Sequence, residues 1–183
     1  MKRDVAVARN YALAFLNTFF EDIPVEDFLK MREVLAFWKE NKKVLHFLDL
    51  PGFETEKKID ALEKVLQQMS CPQPLKELIF LLVRHKRIYL IRDVLKKVCS
   101  LYMQRKNLVF FSVTSAHELL DDEVQSIQEF LERKTGKKVL YECVVDKNLI
   151  AGIRCQSETL VWEHSVKKQL DDLRRQLISR EAT

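Results

Sequence analysis

The sequence predicts a mostly α-helical protein with a small α/β part: an N-terminal six-helix bundle, then a C-terminal α/β domain of about four strands and two helices. Three observations carry this. Over the first hundred residues, apolar side chains return every three or four positions, the period of a helix packed on one side. Only three glycines and four prolines occur in 183 residues, so long regular elements dominate and connections are short. At "QRKN", residues 104–107, the rhythm changes to the alternation of a half-buried strand.

In the first helix, Val7, Tyr11, Phe15 and Phe19 form one i, i+4 row, and Ala8, Ala12 and Leu16 form the next. That stripe is wider than a surface helix needs. Pro24 separates it from a second helix carrying Phe28, Leu35 and Trp38. A short helix around "VLHFLDL" stops at Pro51-Gly52, a strong breaker pair. The fourth starts near Thr55 as N-cap and presents Ile59, Leu62, Val65 and Leu66. Pro74 suits the first turn of a fifth helix with Leu75, Leu78, Ile79, Leu81 and Leu82. "RHKR" marks a turn before a sixth helix built on Ile91, Val94, Leu95, Val98 and Leu101.

Beyond residue 106, "LVFFSVTSA" reads as a strand, being β-branched and aromatic between polar flanks. "DDEVQSIQEFLERKTG" reads as a helix, with acids at its front to offset the macrodipole and Gly136 as its stop. "KKVLYECVVD" is a strand with Val139, Tyr141, Cys143 and Val145 on one side. "AGIRCQ" and "TLVWE" pair as a hairpin about Ser157-Glu158. A last helix carries Val166, Leu170, Leu173 and Leu177 at heptad-like spacing, a seam expected to face the domain's own sheet. The expected domains are therefore residues 1–106 and 107–183.

Composition narrows the function. Residues 1–106 hold 20 basic and 14 acidic side chains, and residues 107–183 hold 11 and 13. A basic front half suits an acidic partner or nucleic acid, but the signs alternate along helices, and a nucleic-acid footprint needs clustering on one face. Lys96, Lys97, Arg105 and Lys106 come nearest to a cluster. Cys71, Cys99, Cys143 and Cys155 form no C-x-x-C pair and read as reduced thiols, with Cys99 and Cys143 as small buried side chains. No cofactor or metal is expected. His46, His85 and His117 are isolated, and Ser165, beside His164, is an N-cap rather than a nucleophile. No phosphate-cradling glycine motif occurs. An enzyme is not expected. No apolar run reaches the ~18 residues of a membrane span, so membrane contact is expected only through partners. The start carries no Arg-rich leader, which favours a bacterial source.

Four motifs stand in a familiar order: "VARNYALAFL", "ELIFLLVRHKRI", "VTSAHEL" and "VVDKNLIAGIRCQSETLVWEHSVKKQLDDL". In that order the chain resembles the delta subunits of bacterial F-type ATP synthases, the family of the mitochondrial oligomycin-sensitivity-conferring protein. The resemblance runs from Val5 to about Ile178. It implies a non-catalytic stator part, one copy per complex, peripheral to the cytoplasmic face of the bacterial inner membrane in a proton-driven machine. The helical bundle would bind N-terminal segments of the alpha subunits in a groove between its first and fifth helices. By position the groove residues are Tyr11, Ala14, Phe15, Leu78, Leu81, Leu82 and Arg87. The leucines read more readily as plain core; Tyr11 is the best contact, because its hydroxyl is wasted in an apolar interior. The α/β domain would meet the b subunits of the peripheral stalk, with Gly152, Glu163 and Ser165 as structural positions. Gly152 falls on the family's Gly-Gly step, here Ala151-Gly152, where a side chain would obstruct close backbone packing. An unrelated helical adaptor and a basic RNA-binding protein are the alternatives.

Overall fold

The computed structural model describes residues 2–49 and 55–170. The chain is mostly helical with one four-stranded mixed sheet, and it divides into two compact units at the Tyr102–Met103 bond. Pro51-Gly52 lies outside the described residues, as do Leu173 and Leu177 of the last predicted helix.

The helical unit consists of α1 (Lys2–Phe19), α2 (Val25–Glu40), α3 (Lys42–Asp49), α4 (Thr55–Gln68), α5 (Gln73–Arg84), a 3-10 turn (Ile88–Leu90) and α6 (Ile91–Arg105). The last turn of α6 runs past the division between units, just short of the predicted change at residue 106. The two apolar rows of α1 have different fates. Ala8, Ala12 and Leu16 are buried in the core, while Val7, Tyr11 and Phe19 of the neighbouring row stay half-exposed. Tyr102 anchors the end of α6 in this core. Its ring stacks on Phe28 at 4.7 Å, and its hydroxyl donates to the Ile23 carbonyl at 2.9 Å, tying α6 to the α1–α2 connection. That bond offsets the cost of burying the phenol hydroxyl.

With so few glycines, helix ends that need a left-handed residue use others. Ser70 (φ 48°) ends α4 and Lys86 (φ 56°) ends α5. At both, the next N–H reaches back to the carbonyl five residues earlier: Cys71 to Leu66 at 3.0 Å and Arg87 to Leu82 at 2.8 Å.

The α/β unit runs β1 (Leu108–Ser115), α7 (Asp121–Thr135), β2 (Lys138–Val145), a 3-10 turn (Lys147–Leu149), β3 (Gly152–Gln156) and β4 (Val161–Ser165), and residues 166–170 begin a further helix. Strand order is β2-β1-β3-β4, with β1–β2 parallel across the α7 crossover and the other two pairs antiparallel. Phe111, Val113, Leu131, Val139 and Cys155 form its core, with Ile127, Ile153 and Trp162 against it. The front of α7 is organised by Glu123, whose carboxylate accepts the Leu120 N–H at 2.9 Å, and Gly136 closes the helix at φ 67°.

Four expectations need correcting. The hairpin does not turn on two residues: its loop is Ser157–Leu160, because Ser157 Oγ accepts the Thr159 and Leu160 N–H groups and strand pairing starts at Gln156–Val161. Of the four residues given one face of β2, only Val139 is buried. Tyr141, Cys143 and Val145 are exposed, because β2 is an outer strand of the sheet. Cys143 is thus a surface thiol, whereas Cys71, Cys99 and Cys155 are buried. Val166 and Leu170 are not buried as such a seam would be; they are 37% and 52% exposed.

Candidate partner-binding groove of the helical unit

An open groove of about 510 Å³ runs between α1 and α5. Tyr11, Ala14, Phe15, Thr18 and Phe19 form its α1 wall; Glu77, Leu78, Phe80, Leu81 and Arg84 form its α5 wall. The α1 positions continue one helical face at i, i+3, i+4, i+7 and i+8 from Tyr11. Phe15 and Phe19 place their rings 5.5 Å apart. Thr18 donates its hydroxyl to the Ala14 carbonyl at 3.1 Å.

Arg87 closes one end. The left-handed Lys86 turns the chain out of α5, and Arg87 then reaches back over α1. Its Nη1 donates to the Tyr11 hydroxyl at 3.1 Å, and its guanidinium carbon lies 5.9 Å from the Tyr11 ring centre. One side chain thereby holds another by a hydrogen bond and by its ring face. Tyr11 is fixed at the mouth of the groove with its hydroxyl already satisfied.

The predicted groove residues separate into three kinds. Tyr11, Ala14, Phe15, Leu78 and Leu81 line the groove together; Phe15 and Leu78 are only 5% exposed and make its floor, and Leu81 is 41% exposed on its wall. Arg87 acts from the end, through Tyr11. Leu82 does not line the groove at all: it is fully buried and belongs to the core beneath. Thr18, Phe19, Glu77, Phe80 and Arg84 were not predicted. Extending the same helical period by one turn on α1, and from Leu81 to Arg84 on α5, reaches three of them.

The groove's polar groups are a phenol, a threonine hydroxyl, one carboxylate and a guanidinium, set around an apolar floor. Such a surface binds by burying apolar area and selects by charge at its rim. Among the described residues, no group of three or more His, Cys, Asp or Glu side chains could hold a metal ion.

The three residues singled out in the α/β unit meet at one junction. Gly152 has φ 95°, and a Cβ there would strike the His164 backbone carbonyl and sit 2.9 Å from the Ser165 Cα. Ser165 Oγ donates to Glu163 at 2.8 Å and accepts the Lys168 N–H at 3.1 Å, the N-cap geometry expected of it. Glu163 also faces Arg154 at 3.7 Å. This ties the start of β3 to the start of the following helix.

Comparison with known proteins then identifies the fold. The family model for the ATP synthase delta (OSCP) subunit matches residues 7–177. ATP synthase subunit delta of Clostridium perfringens (strain SM101) is 28% identical over 174 residues, 94% of this chain and 97% of that protein. The subunit of the same name from Trichlorobacter lovleyi is 27% identical over 166 residues, 90% and 92% of the two chains. A chain in the cryo-EM structure of the Toxoplasma gondii mitochondrial ATP synthase hexamer shares the fold, with a TM-score of 0.59 at 16% identity over 93% of this chain and 97% of that one. The match spans the helical and α/β units alike: the chain belongs to the ATP synthase delta (OSCP) subunit family, structural and non-catalytic components of the ATP synthase.

Proposed function

We propose that this chain is the stator joint of a proton-translocating F-type ATP synthase, holding the catalytic head to the peripheral stalk so that rotation drives ATP synthesis. Residues 1–106, as a six-helix bundle, seat N-terminal segments of the alpha subunits, and residues 107–183 dock to the b subunits. One copy serves each complex, at the cytoplasmic face of a bacterial inner membrane. No described helix is long and apolar enough to cross a membrane, so on this reading the chain is held there by its partners.

The observation that carries the reading is the half-open apolar face of α1 against α5, with Tyr11 held at its mouth by Arg87. An amphipathic guest helix laid there contacts Tyr11, Ala14, Phe15 and Leu81 at successive turns. Leu82 supports the wall from beneath. A nanomolar joint corresponds to about 12 kcal/mol, which suffices for long residence on the head.

Titration of a synthetic peptide of the alpha-subunit N-terminus into the full chain tests this. The expected result is submicromolar binding, weakened about tenfold or more by Tyr11→Ala, or about 1.4 kcal/mol. Leu81→Ala weakens binding with little loss of stability, whereas Leu82→Ala costs about 2–5 kcal/mol of stability by leaving a cavity. No detectable binding by the wild-type chain overturns the groove reading.

A further inference from the structure

The sheet ends on β2, an eight-residue strand that pairs only with β1 among the described residues. Successive backbone N–H groups of a strand point to opposite sides within the sheet plane. The Asp146 N–H donates to the Ser115 carbonyl at 2.8 Å, so even-numbered residues of β2 bond to β1 and odd-numbered ones present N–H and C=O outward. Val139 follows that phase: its outward N–H donates to the Glu132 carboxylate at 3.1 Å. Tyr141, Cys143 and Val145 have no such cap, and among the described residues nothing accepts from their N–H groups.

Proteins blunt an open strand edge with lysines, proline, a bulge or a covering group. The first half of β2 has these devices: Lys137 and Lys138 at its start, and the Glu132 cap on Val139. Its second half has none. Tyr141, Val144 and Val145 are exposed there, and Cys143 is a surface thiol. The open edge is therefore short, apolar and confined to residues 141–145.

We propose that this edge pairs antiparallel with the same edge of a second copy of the chain, about a two-fold axis through Cys143. Such an axis stands perpendicular to the sheet and keeps the faces of both copies aligned, so odd residues meet odd and even meet even. That leaves three centres to weigh. Centring on Tyr141 sets Val139 against Cys143 and calls on the Val139 N–H that Glu132 already holds. Centring on Glu142 calls on it too, and places two carboxylates directly opposite, a destabilising pair. Centring on Cys143 uses only the three uncapped residues. Tyr141 then faces Val145, a favourable aromatic and β-branched pair, Cys143 faces its counterpart, and Glu142 faces Val144. Each outward pair exchanges two N–H···O bonds, about six in all.

The helices leave room for this join. α7 packs on Val113 of β1 as well as on Tyr141 and Cys143, so it lies inward of the edge in each copy. A contact of this extent falls below the roughly 1,200 Å² of standard stable complexes, so the association is weak and reversible, micromolar or weaker. It does not depend on the proposed function of the chain.

Sedimentation equilibrium of the full, reduced chain over a range of concentrations tests the pairing, and charge at position 144 tests its register. Val144→Lys puts a lysine opposite Glu142 at two symmetric places and should tighten the dimer several-fold. Val144→Glu should weaken it several-fold, and adding Glu142→Lys to Val144→Glu should restore it. Cys71, Cys99 and Cys155 are buried, so a short bismaleimide, which adds a thiol at each end and needs no oxidant, reports on Cys143. It should yield a covalent dimer that follows the same order of variants and is absent from Cys143→Ser. Far-UV circular dichroism checks that each variant is folded. A monomer at every concentration overturns the proposal, as does association indifferent to the charge at 144. Association lost in Leu81→Glu but kept in Val144→Glu gives the contact to the α1–α5 groove and overturns it as well.

Discussion

Tyr11 shows how much of a binding site can depend on one partner far away in sequence. Its position on the apolar row of α1 was readable from period alone, but its satisfaction by Arg87, 76 residues later, depends on a left-handed turn at Lys86 that no local pattern announces. Cysteines divide in the same way. Cys143 alternates with Val139 and Tyr141 as a core residue should, yet it is a surface thiol because its strand lies at the rim. Cys71 is the opposite case, and burial pushes its thiol from the ordinary 9.0 up to about 11. A folded pKa raised in this way contributes stability in full below pH 9.0 and loses it as pH rises toward 11. Urea denaturation from pH 8 to 11 should therefore show a Cys71-dependent fall of about 2 kcal/mol, absent from Cys71→Ala. Equal falls in both proteins would locate the alkaline loss elsewhere.

Elements here are defined as much by their ends as by their faces. The link from β2 to β3 holds two positive-φ residues with opposite consequences. Ile150, at φ 66° and ψ −61°, is the centre of a γ-turn closed by Ala151 N–H to the Leu149 carbonyl at 2.8 Å, a strained form for a β-branched residue. Gly152 needs its lack of a side chain because the β4 backbone passes against it. Ile150→Gly should raise stability by about 1 kcal/mol, the strain relieved exceeding the added freedom of the unfolded chain. Gly152→Ala should lower it by about 2 kcal/mol or more. Chemical denaturation curves with unchanged m-values check both. The hairpin loop was misplaced in sequence for a related reason: Ser157 builds the turn with its side chain, a signal weaker than an Asn-Gly pair.

As a whole the chain is two compact units, each with an apolar groove beside a helix, one between α1 and α5 and one beside α7. On the proposed function, two grips in one covalent chain strengthen each other, since the second contact then forms at high effective concentration. Sedimentation of the catalytic head with a soluble b-subunit fragment should therefore require the intact protein. Residues 1–106 mixed with residues 107–183 should bind their separate partners yet leave head and stalk in separate fractions. Co-sedimentation with the mixture would show that the covalent link is dispensable.

A mostly helical chain with a small sheet, the change from helix to strand near residue 106, most helix positions and the N-cap at Ser165 were legible directly, because periodicity, capping chemistry and breaker residues are local properties of the chain. Tyr11 and Phe15 could be placed on one helical face for the same reason, whereas Ala14 entered through the family resemblance. Chain folding alone determined that Leu81 lines a groove while its neighbour Leu82 is core, that Arg87 reaches Tyr11, and that β2 is an outer strand with Cys143 exposed. Each of these depends on which distant element lies alongside. The helical period says which residues share a face, but what covers that face is settled by packing between elements remote in sequence.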